Sequence, residues 1–145
     1  MVTLVDAVVK SRWEKEAAGG SNKSYPNKDL VRLEKWFFET PGTLIDYGFG
    51  SGVNIQHLAK QGYDIEGVDA TEGAVRTAKK KLLESNIKDL KVNLQSLKEN
   101  ATKLPFSDNS FDYAIIISVI SLLGDFDRIH LVLSELNRVL KPGGK

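Results

Sequence analysis

Three glycines at alternate positions, Gly48, Gly50 and Gly52, follow a short apolar run that ends in an acid, Asp46. That order leaves a chain few options. Leu44 and Ile45 read as a buried strand and Val53 opens an amphipathic segment, so the glycines mark a strand–turn–helix unit of an α/β fold. Without Cβ atoms, the turn can take positive φ and let a ligand approach its backbone. The helix behind it begins with unpaired N–H groups and a positive dipole end, which suit a polar or anionic ligand part.

Spacing narrows the ligand. A dinucleotide loop reads G-x-G-x-x-G, whereas here the pattern is G-x-G-x-G and Val53 stands where that third glycine would fall. Asp46 would sit awkwardly beside a pyrophosphate and better suits a cation, such as the ammonium of an amino acid. Asp46-Tyr47-Gly48-Phe49-Gly50-Ser51-Gly52 resembles motif I of the class I S-adenosylmethionine (SAM) dependent methyltransferases. Phe49 departs from that pattern, which has a small residue or cysteine there.

Composition excludes several other chemistries. At 145 residues the chain is one domain, long enough to bury roughly 68–70% of its unfolded surface. A net charge of +1 gives no basic field for nucleic acid or membrane. With no cysteine there is no thiolate nucleophile, disulfide or zinc–thiolate site, and two histidines, His57 and His130, are too few for a histidine-rich metal centre. No apolar run approaches the ~20 residues of a membrane span, and Met1–Asp6 lacks a signal-peptide pattern. A cytoplasmic protein without a metal is the expectation.

In chain order, Trp13, Gly19-Gly20-Ser21-Asn22 and Tyr25-Pro26 predict a short helix and a flexible loop. A helix from Asn27 carries the stripe Leu30, Leu33, Trp36 and Phe37, and Pro41-Gly42 leads into a first strand at about 43–47. Ile55, Leu58 and Ala59 mark the inner face of the next helix, which ends near Gly62. Residues 63–69 alternate as a second strand ending in Asp69, 17 residues beyond Gly52, where α/β nucleotide sites set an acid against ribose hydroxyls. Thr71-Glu72 starts a helix with the stripe Ala74, Val75, Ala78, Leu82 and Leu83; Lys79–Lys81 read as its solvated face. Val92, Leu94 and Leu97 suggest a weaker third strand. Tyr113–Val119 reads as a strand buried on both faces. Asp125 caps a last helix with the stripe Phe126, Ile129, Leu133, Leu136 and Leu140, closed by Lys141-Pro142-Gly143-Gly144.

Two later stretches extend the resemblance. Leu104-Pro105-Phe106 with Asp108-Asn109-Ser110 resembles the segment between strands three and four of small-molecule methyltransferases, including those of ubiquinone and menaquinone biosynthesis. That family has an Asp four residues before the Leu-Pro; this chain has Asn100, whose amide oxygen still accepts from an adenine amino group but without charge assistance. Weaker adenine binding is the expectation. Arg138–Gly144 resembles the turn before the family's fifth strand.

The resemblance implies a Rossmann-like methyltransferase fold, α/β, with a sheet ordered 3-2-1-4-5-7-6. This chain supplies 3-2-1-4 with helices on both faces: a helical or lid segment, residues 1–42, and a SAM-binding core, residues 43–145. It stops as the fifth strand should begin, as a shortened reading frame would. An open fourth-strand edge, Ala114–Ile120, then predicts self-association as a homodimer unless the last helix covers it. The implied cofactor is S-adenosyl-L-methionine, its product S-adenosyl-L-homocysteine. Gly48, Gly50 and Gly52 line its amino-acid portion, and Asp46 reaches the ammonium. Asp69 takes the ribose hydroxyls, Ala70 and Thr71 flank the adenine, Asn100 and the Ala101 N–H read its edge, and Ser118 faces the methionine part. Capping roles for Asp46 and Asp69 remain open, as does a non-ligand role for Asn100. No catalytic base is assigned; His57 and His130 read as structural, and Trp13 and Tyr25 as lid candidates. Ser118-Val119-Ile120-Ser121 replaces the Asn/Asp-Pro-Pro-Tyr/Phe of nucleic-acid and glutamine methylators, which favours a small-molecule acceptor. Rival readings are a non-catalytic SAM-binding or assembly domain and a nicotinamide-dependent oxidoreductase, the latter opposed by the glycine spacing.

Overall fold

Four strands form one parallel sheet in the order β3-β2-β1-β4, as expected. They are β1 (Thr43–Tyr47), β2 (Asp64–Asp69), β3 (Val92–Ser96) and β4 (Tyr113–Ile115). The computed structural model describes residues 1–18 and 23–145, so the expected Gly19–Asn22 loop lies outside the described residues. β1 is central, pairing β2 from Thr43↔Asp64 to Tyr47↔Val68 and β4 from Leu44↔Tyr113 to Asp46↔Ile115. Its side chains alternate between two cores. Leu44 joins Leu30, Ile55, Leu58 and Val75 on one face, from α2 (Lys28–Phe37), α3 (Val53–Lys60) and α4 (Glu72–Glu84). Ile45 joins Leu4, Val132 and Leu136 on the other, from the N-terminal segment and α5 (Phe126–Val139). A further helix, α1 (Ala7–Ala18), follows the N-terminal segment.

Helix starts follow their side-chain chemistry. Asn27 accepts from the N–H groups of Asp29 and Leu30 at α2, Thr71 from Ala74 at α4, and Asp125 from Arg128 at α5. Each satisfies donors that a helix leaves orphaned.

Three apolar stripes depart from expectation. On α2 only Leu30 is buried; Leu33, Trp36 and Phe37 are exposed, Trp36 at 74%, with the Arg32 guanidinium over its ring. Leu83 of α4 is exposed while Leu82 is buried. On α5, Phe126 is 88% exposed and Leu133 is also exposed, while Val132, Glu135, Leu136 and Val139 face inward. Glu135 turns in to accept the Leu104 N–H at 2.7 Å and pairs with Arg138, whose guanidinium also donates to the Phe106 and Leu104 carbonyls. The face that meets the core is thus also the one that holds the Leu104–Phe106 loop.

The fourth strand is a further correction. Only Tyr113–Ile115 pair in it, not the whole run to Val119; Ser118 takes φ +60° and residues 120–122 form a turn of 3₁₀ helix. Its edge is not bare either. The Lys141 N–H donates to the Phe111 carbonyl at 2.8 Å, Lys145 to Asp112 at 3.0 Å, and Ala114 to Lys145 at 2.9 Å. Residues 141–145, and not the body of α5, lie along this edge.

Candidate functional site

The carboxyl ends of β1, β2 and β4 open on a cleft of about 550 Å³. It lies beside the point where the strand order reverses, the usual place for a ligand in an open α/β sheet, and its size suits a small organic cofactor. Gly48, Gly50, Asp69, Thr71 and Ser118 line it, and so do Trp13 and Tyr25.

The three glycines divide the work. A Cβ on Gly50 (φ +54°) would meet nothing within 4 Å among the described residues, so this residue is the bare wall of the cleft. Gly52 (φ +79°), expected to line the ligand, instead closes α3 onto α4: a Cβ there would stand 2.6 Å from that of Ala78. Gly48 holds the turn to the sheet, its N–H donating to the Val68 carbonyl at 2.7 Å.

Asp69 braces the same turn from β2. One carboxylate oxygen accepts the Gly50 N–H at 3.0 Å, the other the Thr71 N–H at 3.1 Å. Thr71, not Asp69, is the helix cap. Burial pushes the Asp69 carboxyl up, and the N–H groups of Gly50 and Thr71 oppose it. The oxygen bound by Thr71 also accepts the Thr71 hydroxyl at 3.4 Å, and the one bound by Gly50 keeps a lone pair for a further donor. Asp46 lies behind the loop, 2% exposed, and its Oδ2 has no hydrogen-bond partner among the described residues. Burial, and secondarily the charge of Asp69, pushes this carboxyl up to about 8. A buried acid without a partner is costly unless something cationic or donating reaches it. It caps nothing.

The other end of the site is closed. Residues 3–5 lie along the loop at 100–101: the Leu4 N–H donates to the Ala101 carbonyl and the Asn100 N–H to the Val5 carbonyl, both at 2.7 Å. The Ala101 N–H, expected to face a base, donates instead to the Lys98 carbonyl at 3.1 Å. Asn100 itself is exposed, with φ +64°. Leu4, Val5 and Val9 are buried against Ala70 and Leu97, leaving a hollow of about 10 Å³. Tyr47 lines that hollow; its hydroxyl has no partner among the described residues, and burial pushes the phenol up.

Neither histidine enters the cleft. The His57 ring is partly buried, which holds it below the usual imidazole range, and His130 is exposed beside Ser134. Among the described residues no group of three His, Cys, Asp or Glu side chains is placed to hold a metal, and no helix is long and apolar enough to cross a membrane.

Sequence reasoning missed Arg128, Asp6 and the Glu135–Arg138 pair. Arg128 donates to the Thr3 and Leu123 carbonyls and pairs with Asp6, fastening the N-terminal segment down. Partners 122 residues apart leave no local signal. The i,i+3 spacing of Glu135 and Arg138 was visible, but not that it points inward.

The donor set fits SAM at its amino-acid end: a bare glycine wall, an unpartnered buried acid behind it and a second acid with a spare lone pair. Comparisons with known proteins agree. The methyltransferase domain family matches residues 45–145. The ubiquinone/menaquinone biosynthesis C-methyltransferase UbiE of Rickettsia prowazekii is 38% identical over 108 residues, covering 70% of this chain and 41% of that protein. The demethylmenaquinone methyltransferase of a Listeria monocytogenes strain is 33% identical over 90 residues, 62% of this chain and 35% of its own length. The chain thus spans less than half the length of these curated relatives. Among solved structures, a SAM-dependent methyltransferase from Methanosarcina mazei superposes with a TM-score of 0.68 at 28% identity, over 82% of this chain and 55% of that one. The fold is the Rossmann-like one of the SAM-dependent methyltransferases, S-adenosylmethionine is the cofactor that goes with it, and the chain belongs to the methyltransferase domain family.

Proposed function

We propose that this chain is the cofactor-binding part of a SAM-dependent methyltransferase that methylates a small molecule. The observation that carries it is the bare Gly50 wall, with Asp69 beside it and the unpartnered Asp46 behind it, at the carboxyl ends of β1 and β2. SAM, when bound, supplies a methyl group already activated by a positive sulfur. The chain's residues therefore need only orient two reactants and exclude water, and no dedicated nucleophile is required.

In this reading Gly48 and Gly50 receive the amino-acid portion, and Asp46 stands toward its ammonium. Asp69 accepts from the ribose hydroxyls with the lone pair that the Gly50 N–H leaves free on its Oδ2. Thr71 and Ala70 flank the base, Asn100 reads its edge from the side chain alone, and Ser118 faces the methionine part from the end of β4. Trp13 and Tyr25 close the cleft from the N-terminal segment, residues 1–42.

The relatives are named for methylating ubiquinone and menaquinone precursors. A reduced quinone with a free ring carbon is accordingly the first acceptor to try. The test is release of S-adenosylhomocysteine from SAM in the presence of such a hydroquinone; release at the rate of the acceptor-free control would contradict the reading. A second reading, binding of SAM without turnover, is favoured by the side chains that fill the nucleoside end. Tight SAM binding with no product from any acceptor would support it. Self-association remains proposed only for the β4 edge beyond Ala114, since residues 141–145 occupy the rest; light scattering showing a monomer at high concentration would remove it.

A further inference from the structure

We propose that residues 3–9 are a built-in competitor for the nucleoside end of the cofactor, latched in place by Arg128. The inference rests on the cofactor reading above and concerns how that site is opened.

Three observations meet here. First, Leu4, Val5 and Val9 occupy the space against Ala70 and Leu97, leaving a hollow of about 10 Å³. That is room for about one water and no purine. Second, the segment takes up the backbone groups of the loop it covers. Leu4 binds the Ala101 carbonyl and Val5 accepts from the Asn100 N–H. Third, the closed arrangement leaves one polar group without a protein partner at the same place. The Tyr47 hydroxyl lines the hollow, buried to 4% exposure, and has no partner among the described residues. A cover that completed the site would satisfy that hydroxyl; a segment standing in for a ligand leaves it bare.

The latch is specific. Arg128 reaches from α5 to the Thr3 carbonyl at 3.0 Å and the Leu123 carbonyl at 3.0 Å, and its guanidinium pairs with Asp6. Asp6 in turn accepts the Val9 N–H at 2.8 Å, so one carboxylate holds both α5 and the first turn of α1. Arg128 is thus a positioning residue that acts through the segment and not on the cofactor. If only the fraction of molecules with the segment displaced can bind, apparent affinity falls by that fraction, and loosening the latch raises it.

This predicts the opposite sign from a lid. Calorimetric titration of S-adenosylhomocysteine into the parent, Asp6→Asn and Arg128→Lys should give about threefold to tenfold tighter binding for Asp6→Asn, by relief of that competition. Arg128→Lys, which keeps the charge but not the fork of donors, should fall between. Hydrogen exchange on the unaltered protein is the second measurement. The amides of Leu4 and Asn100 should be protected without ligand and lose protection when S-adenosylhomocysteine is added. Equal or weaker binding by Asp6→Asn, or protection that grows with ligand, overturns the competitor and leaves the cofactor assignment standing. No binding by any of the three proteins overturns the cofactor reading and the competitor with it.

Discussion

The two ends of the cleft are built by different means. The end proposed for the amino-acid portion is made from one contiguous turn, residues 46–52, pinned by Asp69 from the neighbouring strand. It stands open, with no atom of the described residues within 4 Å of a Cβ on Gly50. The other end, where the proposed reading puts the nucleoside, is assembled from residues 3–9, 97–101 and Arg128, and it is filled. A site whose geometry lies in local turn chemistry is ready before a ligand arrives. One assembled from distant segments can be occupied by the protein itself.

Predictions can break or sharpen that contrast, starting with the largest effect. Gly50→Val places a β-branched side chain at φ +54°, at a backbone cost of roughly 1–2 kcal/mol, and fills the open wall. S-adenosylhomocysteine affinity should fall by about a hundredfold or more while helical circular dichroism stays near that of the parent. Parent-like affinity would mean that the open end is not where the ligand sits.

Glu135→Ala strikes the other end. It leaves the Leu104 N–H unsatisfied and breaks a pair buried on the Glu135 side, so melting should report a loss of about 2–4 kcal/mol. Asp69→Ala removes the brace between β2 and Gly50 and should weaken S-adenosylhomocysteine binding by about 1–3 kcal/mol in a calorimetric titration.

Asp46→Asn separates charge from shape. An acid whose carboxyl is raised from 3.8 to about 8 holds its proton more tightly folded than unfolded. Its contribution to stability is therefore full below about pH 4 and is lost as the pH rises toward about 8. The variant should lack that loss and be more stable than the parent at pH 8 by about 1–2 kcal/mol in denaturant melts. Because a cationic ligand favours the ionised acid, parent affinity for S-adenosylhomocysteine should rise with pH over the same range, and the variant's should not. His130→Ala is the smallest effect, within about 0.5 kcal/mol in both binding and stability.

What could be read from the residues follows the same division. The glycine turn, the Asp69 position and the caps at Thr71 and Asp125 are set by neighbours in sequence, and they stand where the pattern puts them. The sheet order, made by pairing strands far apart in sequence, such as Leu44 with Tyr113, is the one the family resemblance implies. Helix faces were less legible. Counting apolar residues on α5 selects Phe126 and Leu133, but the helix turns Val132, Leu136 and Val139 inward, with Glu135 among them. Gly52 belongs to the glycine pattern yet serves the packing of α3 on α4, because close approach needs a missing Cβ whichever side it faces. The Ala101 N–H is taken by a local turn onto the Lys98 carbonyl, which the Leu-Pro-Phe pattern gives no sign of.

The most direct measurement is a crystal structure of the protein grown with S-adenosylhomocysteine. The account predicts the ligand's amino group at the Gly50 turn on the Asp46 side, its ribose against Asp69, and residues 3–9 lifted from Ala70 and Leu97. Density for those residues unmoved, with the Gly50 wall bare, would contradict it.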